Sequence, residues 1–275
     1  MNHPLQKVYF VIFAVMDYKM HLYRREEMTG PAFLFLHGFL ESGDVWLPWA
    51  EKMALNGSLY IPDLPGHGKS KAREDGEMFP DWAAHLMGVI DQHQSTDGPV
   101  HVIGHSMGGY LALEMALLYP RRIGKIVLLH STPMPDTPVQ IERRKRQIDL
   151  IRKGRKSLLI KNVGPSMLAP ENRERLAIRG HKLKSEADRC SAEGMIKTLR
   201  AIMNRSDYRK LMNQKMKDVL LITGSEDPFM PADYYKTLLL QYPQMAHCHF
   251  TGCGHASFLE YPEVSLQVVK RFLEK

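Results

Sequence analysis

Ser106 lies in "VIGHSMGGYLALEMA" (102–116), between two glycine-bearing positions, where an apolar strand-like run gives way to a helix-like one. The segment "GHSMG" (Gly104 to Gly108) matches G-x-S-x-G, in which a serine sits on a tight strand-to-helix turn. Any side chain larger than hydrogen two residues before or after the serine would collide across that turn, so Gly104 and Gly108 are steric requirements. A helix opening at Met107 directs its first amide and its positive end toward a developing anion. A serine hydroxyl attacks a carbonyl only if a base takes its proton, so a histidine oriented by an acid is required. "FTGCGHASFLEYPE" (250–263) presents His255 on a glycine-rich turn ahead of the last helix. "VLLITGSEDPFMP" (219–231) places Asp227 just past a fully apolar strand. Glu226 competes for the same role, but the residue before a proline is held extended, which favours Asp227 as the inward carboxylate. A second oxyanion donor is expected in "FLFLHGFLES" (33–42): the backbone amide of Phe39 would pair with that of Met107, Gly38 completes the turn, and His37 holds the loop by side-chain hydrogen bonds.

These groups are far apart in the chain, and a sheet must gather them. Apolar, β-rich runs occur at Val8–Val15, Lys19–Tyr23, Ala32–Leu36, Ser58–Ile61, Val100–Ile103, Lys125–Leu129, Val219–Thr223 and His247–Thr251. Helix-period segments fall between the later ones, at Val45–Leu55, Met78–His93, Met107–Leu118, Ala232–Gln241 and Pro262–Leu273. Strand and helix alternate, which predicts an α/β fold with an eight-stranded, mostly parallel sheet flanked by helices. The alternation stops at Ser131 and resumes near Lys217, leaving amphipathic sequence broken at Gly154, Gly164-Pro165 and Pro170. The expected organisation is therefore a core domain of residues 1–130 and 216–275 with a helical cap, 131–215, inserted between two strands.

The 275 residues suffice for such a core and its insertion. Net charge is +7, but residues 131–215 hold 21 Lys and Arg against 9 Asp and Glu, so the insert is basic and the remainder mildly acidic. "ERRKRQ" (142–147) and "RKGRK" (152–156) lack interleaved aromatics and a recognition motif, so they read as solvated helix faces, and no nucleic-acid partner is expected. The early apolar run has eight residues, too few for a membrane span and without a leader's cleavage site. Three cysteines, Cys190, Cys248 and Cys253, form no disulfide framework, which agrees with a reducing, cytoplasmic setting. "HCHFTGCGH" (247–255) has zinc-binding composition, but strand alternation puts His247 and His249 on one face and Cys248 on the other, so no metal or other cofactor is expected. The methionines Met167, Met195, Met203, Met212 and Met216 read as packing or pocket-wall residues.

With "HGF", "DLPGHGKS" (63–70), "GHSMGG", "GSEDPFMP" and "GCGHASFLEYPE" in this order, the chain resembles the α/β-hydrolase-fold serine hydrolases, in the branch of haloperoxidase-like esterases, enol-lactonases and C-C bond hydrolases. The resemblance covers nearly the whole chain apart from the cap. It implies a Ser106, Asp227, His255 triad in the family's chain order, an acyl-enzyme intermediate and a small ester or lactone as substrate. In "DLPGHGKS" the glycines serve the turn, Asp63 and Ser70 its hydrogen bonds, and His67 no catalytic role. A C-C bond hydrolase or a pyruvate-eliminating lyase of the menaquinone pathway uses the same triad, but the lyase's elbow is followed by an arginine where Gly109 and Tyr110 stand here, which favours ester hydrolysis. A ligand-binding receptor on the same fold is the alternative of another class, and a homodimer is left open.

Overall fold

The computed structural model describes residues 9–15, 18–25, 30–53, 55–72, 78–93 and 98–275. Eight strands form one sheet: β1 (Tyr9–Val15), β2 (Tyr18–Arg25), β3 (Ala32–Leu36), β4 (Ser58–Pro62), β5 (Val100–His105), β6 (Ile123–Leu129), β7 (Val219–Gly224) and β8 (Ala246–Phe250). Their order across the sheet is β1-β2-β4-β3-β5-β6-β7-β8. The β1–β2 and β2–β4 pairings are antiparallel and every pairing from β4 to β8 is parallel. The predicted strands all form, each within two residues of its expected ends; Val8 lies outside the described residues.

Parallel pairing needs crossovers, and the helices supply them. On the core these are α1 (Leu47–Lys52), α2 (Phe79–His93), α3 (Met107–Leu118), α9 (Ala232–Gln241), α10 (Ser257–Glu260) and α11 (Pro262–Leu273). Because side chains alternate along a strand, the central strands are apolar on both faces. Leu34, Leu36, Val102, Leu128 and Leu221 pack with α2, α3 and α9, while Phe33, Phe35, Ile103, Leu129 and Ile222 pack with α1 and α11. The helix expected over Val45–Leu55 is shorter, a single 3-10 turn at Gly43–Val45 followed by α1, with Pro48 in its first turn; the chain leaves it at Met53 ahead of Asn56 and Gly57.

Between β6 and β7 the chain forms α4 (Pro138–Arg152), α5 (Lys156–Ile160), α6 (Ala177–Arg189), α7 (Ala192–Met203) and α8 (Arg209–Lys215). Thr137 caps α4 with a complete capping box and Ser191 caps α7 through the Gly194 amide. The helices share a small apolar cluster, Ile148, Ile151, Ile160, Met195 and Leu199, which also takes in Leu40 from the loop after β3. Among the described residues no helix is long and apolar enough to cross a membrane.

Candidate active site

The carboxyl ends of β3, β5, β6, β7 and β8 supply groups that face one cavity of about 430 Å³. Ser106 follows β5 directly, with φ 48° and ψ −111°, and opens α3. Its backbone is fixed at three points: its N–H donates to Leu129 O (2.9 Å), while its carbonyl accepts from the Gly109 amide (3.0 Å) and the Ser131 hydroxyl (2.7 Å). A Cβ on Gly104 would stand 2.4 Å from Gly108 O, and one on Gly108 would stand 2.2 Å from Leu36 O. The glycines are therefore forced by close approach of backbone to backbone.

His255 is buried, and its Nδ1–H donates to both carboxylate oxygens of Asp227, at 2.9 and 2.8 Å. The opposite edge of the ring, with Nε2, is left for the cavity that Ser106 also lines. Glu226 is exposed, so the carboxylate brought inward is that of Asp227. Asp227 also accepts the amides of Phe229 (2.8 Å) and Met230 (3.2 Å). Burial alone would raise its pKa, but the two imidazoles and their hydrogen bonds hold the carboxyl well below the usual range.

The second imidazole is His130, at the end of β6, a residue the sequence reading did not single out. The Ser257 amide donates to its Nε2 (3.1 Å), so the ring proton is on Nδ1, where it is donated to Asp227 (2.9 Å). Burial lowers the His130 pKa to about 4, so the ring is neutral. His130, Asp227 and His255 bring ligand-type atoms within 4.8 Å of one another. Each imidazole Nδ1 carries the proton it donates to the carboxylate, and so has no lone pair free for a metal ion.

Phe39 and Met107 both line the cavity, and among the described residues neither backbone N–H donates within a loop, a cap or to a side chain. The loop that carries Phe39 is held on both sides. His37 accepts the Leu64 amide at Nε2 (2.9 Å) and donates from Nδ1 to Gly38 O (2.8 Å), and the Gly38 amide donates to Glu41 (2.6 Å). His67 packs its ring against Phe39 and bonds the Pro65 carbonyl from Nδ1 (3.0 Å), while Asp63 accepts the Gly43 and Lys69 amides. The "DLPGHGKS" turn thus supports the loop that carries Phe39. Three non-glycine residues have left-handed backbone among those described, Leu40 (φ 67°), Ser106 (φ 48°) and His130 (φ 52°), and all three line this cavity. Backbone strain of this kind persists where surrounding structure over-determines it, and it gathers at functional sites.

The rest of the wall comes from the helices between β6 and β7, with Gln140, Arg143, Arg144 and Gln147 on α4, then Leu159, Val163 and Met167. Met195 and Met212 are fully buried packing residues, and Met203 and Met216 pack at the edges of the apolar clusters. Arg144 and Arg205 share the buried carboxylate of Asp136, and Arg205 also lies over the Tyr110 ring, 4.1 Å from its centroid. On β8, His247 and His249 both bond the Thr223 hydroxyl at 2.9 Å, and Cys248 packs on the opposite face.

Comparison with known proteins follows the same outline. The family described as alpha/beta hydrolase fold matches residues 31–165. A pimeloyl-[acyl-carrier protein] methyl ester esterase of Nitrosomonas europaea is 29% identical over 250 residues, covering 86% of this chain and 92% of that protein. Among solved structures, a thermophilic esterase from Thermogutta terrifontis superposes with a TM-score of 0.84 at 22% identity, over 98% of each chain. The enol-lactonase from Burkholderia xenovorans LB400 does so with a TM-score of 0.82 at 18% identity, over 96% of this chain and 100% of that one.

Proposed function

We propose that this chain, an α/β-hydrolase of the esterase type, cleaves a small carboxylic ester or lactone through an acyl-enzyme formed on Ser106. The observation that carries the reading is a serine fixed in strained backbone on the wall of the same cavity as an imidazole whose far nitrogen is bound to a buried carboxylate. Ser106 attacks the carbonyl carbon while His255 Nε2 takes the hydroxyl proton. Asp227 keeps the imidazole in the Nδ1–H tautomer and stabilises the imidazolium that forms. The oxyanion is received by the Phe39 and Met107 amides, and the alcohol leaves with the proton returned by His255. Water, deprotonated by the same imidazole, then releases the acid.

The cavity's size is that of a small-molecule site, and its apolar wall of Phe39, Leu40, Leu159, Val163 and Met167 suits an aliphatic or aryl acyl group. Residues 131–215 act as the cap, because α4 and the segment through Met167 roof the site. The relatives' names favour a methyl ester of a longer acyl chain, and the cavity's extension to Gln140 and Arg143 gives a chain room toward a polar, cationic end. Ser106→Ala is expected to lower turnover of a p-nitrophenyl ester by about four to six orders of magnitude with an unchanged circular dichroism spectrum. Turnover within tenfold of the parent would refute the assignment. A chain-length series of methyl and aryl esters measures the depth of the pocket.

A further inference from the structure

The residue immediately before Ser106 has a side chain that the mechanism above does not use. His105 is fully buried. Its Nε2 stands 2.8 Å from the carbonyl oxygen of His255, and its Nδ1 stands 2.9 Å from Oε2 of Glu41. Oε2 of Glu41, itself 2% exposed, also accepts the Gly38 amide at 2.6 Å. An unbroken run of three hydrogen bonds therefore joins the oxyanion loop to the loop of the catalytic base, passing through the residue next to the nucleophile. Its ends are separated by more than 200 residues in sequence.

We propose that Glu41 and His105 are positioning residues of the ester-cleaving reaction, a buried carboxylate–imidazolium pair that fixes the Phe39 amide and the His255 backbone at a set separation on either side of Ser106. Both ring nitrogens of His105 face acceptors, so both carry hydrogen and the ring is cationic. Asp227 also favours that charge, while the neighbouring rings of His37, His130 and His255 are the basic groups packed around it. Stability does not explain such a pair, since apolar residues of similar volume commonly serve a buried site as well or better. Among the described residues, Oε1 of Glu41 accepts no protein hydrogen bond, so the carboxylate is engaged through Oε2 alone. The geometry points to Gly38 as the place where the pair acts. A Cβ there would stand 2.8 Å from His105 Nδ1 and 2.9 Å from Glu41 Oε2, so the charged pair is packed directly against the residue preceding Phe39. The adjoining Leu40 is held at φ 67°, a conformation this loop keeps only under external constraint.

The test rests on the esterase reading and separates from it. A glutamine at 41 keeps the shape but not the charge, so His105 becomes neutral and can donate only one of its two bonds. Glu41→Gln and His105→Gln are each expected to lower kcat on the order of 10- to 100-fold with KM within twofold, the range for a misplaced oxyanion donor. Affinity for a trifluoromethyl ketone analogue of the tetrahedral intermediate should fall in parallel with kcat/KM. Folded variants with kcat within twofold of the parent, or a kcat loss with unmoved analogue affinity, overturn the proposal. If neither variant folds, ¹⁵N spectra of the histidine-labelled parent decide it. One ring with both nitrogens protonated, identified by its coupling to the His255 carbonyl, should persist to pH 8, and a neutral ring there overturns the pair. Retained turnover in Ser106→Ala would instead sink the esterase reading.

Discussion

Asp227 is unusual in serving two imidazoles at once, and its second partner shows what a single residue contributes here. His130 must occupy a left-handed backbone conformation and still aim an N–H at the carboxylate. Asparagine tolerates that conformation and has an amide N–H to offer, whereas alanine offers neither. His130→Ala should therefore lower kcat about tenfold and His130→Asn by less, as measured by steady-state ester hydrolysis. Equal losses would show that the second hydrogen bond to Asp227 contributes nothing. The gathering of Ser106, Asp227 and His255 at one edge of the sheet was legible in the sequence because each lies in a local signature of glycines, a proline and an apolar strand. His130 and Glu41 were not, because their partners lie 97 and 64 residues away and nothing local marks a buried polar contact. The one signal available was a histidine closing each of two apolar strands, "VHVIGH" and "IGKIVLLH", at the edge where the serine stands.

Among elements, the strands were read almost to the residue, since central strands buried on both faces must be continuously apolar. The helices over 131–215 were recognisable only as a helical stretch. Their ends are set by Thr137, Ser191, Gly154 and Pro170 rather than by a clean period, and α4 is largely solvated. Nor does periodicity show how α6 meets the loop after β3. There the Ser42 hydroxyl donates to the buried Glu186 at 3.0 Å, and burial pushes the Glu186 carboxyl up to about 7. A folded-state pKa raised above the ordinary carboxylate value gives stability that is fully present below that value and is lost as pH rises through about 7. Glu186→Gln keeps an acceptor for Ser42 and removes the charge. Its Tm should match the parent at pH 4 and exceed it by about 2–6 °C at pH 8, a gain of roughly 1–2 kcal/mol. A variant less stable than the parent at pH 8 would show that the ionised form is held by something stronger than Ser42 and the Lys182 ammonium, which lies 3.9 Å from the carboxylate.

For the molecule as a whole, buried and half-buried histidines set the acid limit. Burial holds His37, His101 and His130 down to about 4 and His67 to about 3. Their folded pKa values lie below the ordinary histidine value, so each is neutral in the fold and takes up a proton on unfolding. The stability they represent is present above about pH 6.5 and lost as pH falls toward 4. Unfolding near pH 5 should therefore take up protons at these rings, so stability falls as pH drops. His105 has the opposite sign, because Glu41 outweighs burial and holds its pKa above the ordinary value, so its contribution is lost only as pH rises. Urea midpoints measured from pH 4 to pH 8 check the slope, and a flat profile below pH 6 would show that the buried rings are already protonated in the fold.

The His255 amide donates to the carbonyl of Met167, 2.8 Å away on the chain between β6 and β7. Because the acceptor is main chain, no exchange of side chains at position 167 abolishes it. Only a rerouted backbone can. Recombination among homologues to obtain new specificities is thereby constrained: a transplanted roof that takes a different path at this point would unmoor His255 along with the cavity wall it was meant to replace.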